Sequence, residues 1–167
     1  MKAQGMKAMW TITVLLGMAA GPAWPHGDAT HAGKSKPVAI STEERAFGRQ
    51  GDPGKVARSI EIDMADTMRY TPAHISVKRG ETIRFELRNS GKVMHELVLG
   101  TMNELTQHAE LMRKHPGMEH DEPHMAHVAP GKRERLVWQF TRSGEFYYGC
   151  LIPGHFEAGM IGKVVVR

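Results

Sequence analysis

Cysteine is almost missing from this chain of 167 residues, where Cys150 stands alone. A lone cysteine makes no internal disulfide, so it is either a reactive thiol or one protected by a ligand. Long apolar runs are scarce as well. The main one, residues 10–21, is short for a membrane span; it follows Lys2 and Lys7 and precedes the small-residue stretch Gly21-Pro22-Ala23. Residues 1–23 therefore read as a secretory signal peptide, with a membrane anchor as the competing view. No other stretch is apolar enough to cross a bilayer. Aromatic residues make up only 7% of the chain, and no arginine-rich run interleaves with them, which argues against nucleic-acid binding. The formal charge of +4 includes two signal-peptide lysines, so the rest is only mildly basic. A Gly-x-Ser-x-Gly nucleophile motif is absent, and no internal repeat is visible.

What is present centres on Gly149-Cys150-Leu151-Ile152-Pro153-Gly154-His155-Phe156-Glu157-Ala158-Gly159-Met160. Thiolate, imidazole and thioether follow one another in steps of five. On a helix such steps turn each residue about 140° from the last; on a strand, odd steps alternate faces. Only a compact loop turns all three inward, and the glycines and Pro153 favour one. The donor set is soft and suits copper. The blue-copper arrangement needs a second histidine, which Val93-Met94-His95-Glu96-Leu97-Val98-Leu99 supplies. As a strand it puts Val93, His95, Leu97 and Leu99 on one apolar face, where a bare imidazole needs a partner. That partner is a metal, or else a backbone carbonyl.

Residues 24–57 show no hydrophobic periodicity and read as a flexible N-terminal segment. His26 and His31 lie in it, and Ser41-Thr42-Glu43-Glu44 has the form of a helix start. From Arg58 the pattern becomes one of strands. Ile60, Ile62 and Met64 alternate with acidic residues, Ile75 pairs with Val77 while His74 faces solvent, and Ile83, Phe85 and Leu87 alternate with charged neighbours. After Gly100 the period lengthens. Thr101-Met102-Asn103-Glu104 is a capping box, Leu105, His108, Ala109, Leu111 and Met112 follow at helical spacing, and Pro116 ends the helix. Strands return with Leu136, Trp138 and Phe140, then Phe146 to Tyr148, then Ile161 to Val166. The expected fold is an all-β sandwich with one helical insertion.

These residues resemble the cupredoxins, the type 1 blue-copper family of Greek-key β-sandwiches. The likeness covers roughly residues 58–167 and rests on His95, the Tyr-Tyr-Gly-Cys approach, Cys150-x4-His155-x4-Met160 and the Gly-x-Val-x-Val ending. It implies that His95, Cys150 and His155 are equatorial copper ligands and Met160 the axial one. Many cupredoxins carry asparagine after the upstream histidine to tie the ligand loops together; Glu96 stands here instead, which leaves that bracing open. A narrower likeness, carried by Phe47-Gly48-x-x-Gly51-Asp52-Pro53, Met94-His95-Glu96, the segment from His115 to His120 and Pro153-Gly154-His155-Phe156-Glu157, is to the periplasmic copper-tolerance cupredoxins of the CopI kind. The implied layout is a signal peptide (1–23), a flexible segment (24–57) and a cupredoxin domain (58–167) with an insertion at about 101–130.

The insertion holds His108, Met112, His115, Met118, His120, His124, Met125 and His127, five of the ten histidines among them. His108, Met112 and His115 step by four and three onto one helix face; His120, His124 and His127 repeat the step, broken by Pro123. The set reads either as a polar insertion or as a second, looser copper site of cuprous preference. The expected function is periplasmic copper binding at a type 1 centre in copper tolerance, with copper ions as the partner and no membrane attachment after signal cleavage. The alternative is an electron carrier whose protein partner docks near His155, on Pro153, Phe156, Ala158 and Gly159. A copper enzyme is less favoured. Gly149 and Leu151, not histidines, flank Cys150, and the absence of His-x-His leaves a trinuclear cluster without ligands; a cuprous oxidase stays open.

Overall fold

The computed structural model describes residues 39–116, 118 and 120–167. The expected signal peptide, His26 and His31 lie outside the described residues. Two sheets face each other across the main core. The first runs β1 (Glu44–Arg45), β2 (Gly48–Gln50), β9 (Arg133–Gln139), β6 (Thr82–Asn89), β3 (Arg58–Ala65) and β4 (Arg69–Thr71). The second runs β5 (His74–Val77), β11 (Ile161–Val166), β10 (Gly144–Gly149), β7 (His95–Gly100) and β8 (Met125–Val128). Most neighbours are antiparallel, but β3 pairs with β6 and β5 with β11 in parallel. This is the expected Greek-key β-sandwich with one helix.

The alternation in the sequence sets which side chains meet. Ile62 and Met64 of β3, Ile83, Phe85 and Leu87 of β6, and Leu136 and Trp138 of β9 all enter the core from the first sheet. Leu97, Leu99, Phe146, Tyr148, Val164 and Val166 meet them from the second. Each fully buried aliphatic or aromatic side chain of this kind contributes about 1.5–3 kcal/mol.

The helix α1 (Met102–Lys114) lies on the outer face of the second sheet. Its capping box forms as expected: Glu104 N–H donates to Thr101 Oγ1, and Thr101 N–H to the Glu104 carboxylate. It ends one residue before His115, which Pro116 disfavours in helical geometry. Leu105, Ala109 and Met112 pack with Val98, Met125 and Leu151 in a smaller cluster. Leu111 stays exposed. Because β7 has the main core on one side and this cluster on the other, all six of its residues are buried.

Three expectations need correcting. Ser41 to Glu44 start no helix; β1 and β2 form there, and the sheet begins before Arg58. Phe47 explains it, stacking on Trp138 at 5.1 Å while its carbonyl accepts the indole N–H at 3.0 Å. Val93 does not share the inward face of His95, since the strand starts at His95 and Val93 is exposed. Finally, strands resume inside the expected insertion of about 101–130: residues 125–128 pair with β7 as β8.

Candidate metal centre

Antiparallel pairing of β10 with both β7 and β11 places the start of β7, the end of β10 and the start of β11 at the same end of the second sheet. His95 opens β7, Cys150 follows β10, and Met160 immediately precedes β11. The loop from Cys150 to Met160 closes on itself. Cys150 N–H donates to Met160 O at 3.1 Å and Met160 N–H to His155 O at 3.0 Å. Gly154 and Gly159 take positive φ of 92° and 88° there, a conformation costly for other residues. Sequence steps of five thus become a tight turn with its side chains inward.

One ligand atom each from His95, Cys150 and His155 lies within 4.8 Å of the other two. Cys150 Sγ and His155 Nδ1 are 3.2 Å apart, and the two imidazole centroids 5.0 Å. His95 and Cys150 are fully buried and His155 is half-buried. Met160 is buried in the same core cluster as Cys150.

Two observations bear on whether a metal fits. His95 Nε2 lies 3.2 Å from Asp66 Oδ1, whereas its buried Nδ1 has no hydrogen-bond partner among the described residues. A neutral ring donating Nε2–H to Asp66 leaves a bare Nδ1 lone pair, the arrangement of a metal-ligating histidine with its outer carboxylate. The thiol is the second observation. Burial pushes Cys150 up to about 12, against the opposing pull of backbone amides at Glu96 and Ile152. Without a cation the sulfur keeps its proton, and a bound metal is the agent able to remove it. For His155, burial and then the neighbouring His95 lower the pKa, which favours the neutral imidazole that ligation needs. The soft donor set fits copper.

Two supporting residues were not recognised from sequence. Asp66 accepts the N–H of Lys92 and of Val93 as well as facing His95; these bonds, Lys92 first, hold its carboxyl below the ordinary carboxylate range. No local signal marks it, because it lies 29 residues from His95. Tyr70 donates its hydroxyl to Glu96 O at 2.6 Å, fixing the backbone next to His95. Glu96 itself supplies the bracing that the sequence left open. Its carboxylate is buried, accepts Leu151 N–H at 2.7 Å and meets His127 Nε2 at 2.9 Å.

The eight histidines and methionines of the insertion do not converge on one point. His108 and His120 pack ring against ring at 4.8 Å. His124 is buried against both Phe47 and Trp138, and Met125 belongs to the smaller core cluster. His115 is exposed. Met112, Met118, His120 and His127 line one cavity.

A two-sheet sandwich with two imidazoles and a thiol gathered at one end is the cupredoxin architecture. The chain belongs to the copper binding proteins, plastocyanin/azurin family, which it matches over residues 56–167. It is 51% identical over 142 residues to the copper-resistant cuproprotein CopI of Rubrivivax gelatinosus, covering 85% of this chain and 83% of that protein. To the protein of the same name from Pseudomonas aeruginosa it is 35% identical over 152 residues, covering 74% and 83%. Among solved structures, dithionite-reduced auracyanin from Roseiflexus castenholzii shares the fold with a TM-score of 0.58 at 20% identity, covering 67% of this chain and 98% of that one. Auracyanin B gives 0.59 at 18%, covering 74% and 96%.

Proposed function

We propose that this protein is an exported copper-binding protein of copper tolerance, holding one copper ion as a type 1 centre at His95, Cys150, His155 and Met160. The observation that carries the reading is the buried, partnerless Nδ1 of His95 beside a thiol and a second imidazole, all within 4.8 Å. The tolerance role draws on the relatives named copper-resistant cuproproteins. Copper held there would accept and return one electron and give an intense thiolate-to-copper absorption.

The chain's own residues prepare that site. Asp66 sets the tautomer and tilt of His95, the Glu96 and Ile152 amides bond the sulfur, and the β-sandwich holds the strands that carry the donors. A fixed cage lowers the rearrangement that accompanies a change of oxidation state. An electron-carrier role is the second reading, favoured by the half-buried ring of His155 beside exposed Pro153, Ala158 and Gly159. Phe156, the fourth residue of that expected patch, turns instead toward the smaller core cluster.

Export rests on residues 1–23; among the described residues, no helix is long and apolar enough to cross a membrane. N-terminal sequencing of the protein from the producing cell tests the cleavage. Copper stoichiometry with an absorption spectrum tests the centre. Wild-type protein should show the charge-transfer band and Cys150→Ser should not; a variant that kept the band would refute the assignment. Cells carrying Cys150→Ser should tolerate copper less well. Intact tolerance with impaired respiratory electron flow would favour the carrier.

A further inference from the structure

The turn between β3 and β4 touches both segments that carry the His95, Cys150 and His155 donors. Asp66, Thr67 and Met68 form its loop, and Met68 N–H donates to Ala65 O at 2.9 Å. Met68 takes a φ of 58°, the left-handed conformation that ends such a loop and that is costly for a residue with a side chain. Its side chain packs against the main core, which anchors the turn.

From this anchor, side chains of opposite charge reach the two ligand segments. Asp66 Oδ1 accepts Lys92 N–H at 3.0 Å and Val93 N–H at 3.4 Å, and lies 3.2 Å from His95 Nε2. Its seat exists because residue 91 is glycine: a Cβ on Gly91 would fall 2.0 Å from that same oxygen. Arg69 Nη1 donates to Met68 O at 2.7 Å and to Ala158 O at 2.8 Å. Ala158 stands in the ligand loop between His155 and Met160.

The Asp66 side chain is 39% exposed, so its carboxyl is ionised at neutral pH. His95 is fully buried, and little water screens the charge on the side of the ring that faces the other donors. A fixed negative charge there stabilises a doubly charged cupric ion more than a singly charged cuprous one. We propose that the β3–β4 turn positions the metal centre from outside the ligand set: Asp66 acts through His95 to bias the site toward cupric copper, and Arg69 holds the loop that carries His155 and Met160. Resting on the type 1 reading above, this gives the centre a preferred oxidation state and names the residues that set it.

The test compares point variants with and without copper, circular dichroism confirming that each is folded. Asp66→Asn keeps an oxygen for all three contacts and removes only the charge. It should retain the charge-transfer band and raise the reduction potential, with cupric affinity falling about tenfold and cuprous affinity less. Asp66→Ala removes the carboxylate and Gly91→Ala displaces it. In metal-free protein, nitrogen NMR should show His95 as the Nε2–H tautomer in wild type and Asp66→Asn, and as a mixture in these two. Arg69→Met should leave that tautomer alone, but speed exchange of the Met160 amide and release of copper to a chelator by about tenfold. An unchanged potential in Asp66→Asn would overturn the cupric bias. An unchanged tautomer in Asp66→Ala would overturn positioning through His95, and unchanged amide exchange in Arg69→Met would overturn the hold on the loop. A wild type with no band, but with the metal-free differences intact, would sink the type 1 reading and leave the positioning turn standing.

Discussion

The carboxylate of Glu96 accepts the backbone N–H of Leu151 at 2.7 Å, so the residue after His95 holds the residue after Cys150. Register explains why a carboxylate is tolerated in so buried a place. Glu96 stands opposite His127 across the β7–β8 pair, and its second oxygen meets His127 Nε2 at 2.9 Å. Both oxygens are thereby engaged, as a buried carboxylate requires.

Glu96→Ala should leave the Leu151 amide without an acceptor, at a cost of about 1–3 kcal/mol. Copper affinity should fall by about 10–100-fold, as it does when supporting groups around metal ligands are lost. Glu96→Gln keeps an acceptor for the amide and should recover most of both. Urea unfolding and competitive copper titration of the two variants check this; equal effects of Ala and Gln would show that charge, not the hydrogen bond, matters.

In the proposed type 1 centre, Met160→Leu should retain copper and raise the reduction potential, because the axial donor of that reading is removed while its three equatorial ones stay. Voltammetry on the copper-loaded variant measures the shift. Loss of the metal altogether would make Met160 a primary ligand.

His124 gives the metal-free fold a pH dependence. Burial first, then Arg45, lowers its pKa from 6.5 to about 4, with His108 and His120 acting the same way and Glu104 opposing. Between those values the unfolded chain binds a proton that the folded state refuses, so stability is present above about pH 6.5 and declines as the pH falls toward 4. The full shift corresponds to about 3 kcal/mol. Urea unfolding at pH 7 and pH 5 should show a smaller loss for His124→Leu than for wild type. An equal loss in both would assign the acid sensitivity to other groups.

Gly162 is required by its neighbour. A Cβ there would lie 2.1 Å from ring atoms of Tyr148. That ring cannot step aside, since its hydroxyl donates to Pro72 O at 2.6 Å and Tyr70 packs edge-on at 5.0 Å. Gly162→Ala should cost about 3 kcal/mol, seen as a lower thermal midpoint. An unchanged midpoint would show that β11 has room to shift.

The sequence by itself determined the sandwich's long strands and the helix. Alternation from Ile60 to Met64 and from Ile83 to Leu87 has a period of two that survives folding, and the Thr101 capping box is local chemistry that needs no partner. It also singled out His95, Cys150 and His155, because glycine and proline between the last two exclude a helix or strand. Tertiary structure decided what depends on distant pairing. β1 and β2 span five strand residues in all, too few to show a period, and they exist because Phe47 finds Trp138 91 residues away. β8 exists because β7 offers it an edge, within the segment expected as an insertion. Asp66 becomes the partner of His95, and Glu96 the tie to Leu151, only when strands far apart in the chain are laid side by side. Hydrogen bonds across such separations leave no trace in local composition.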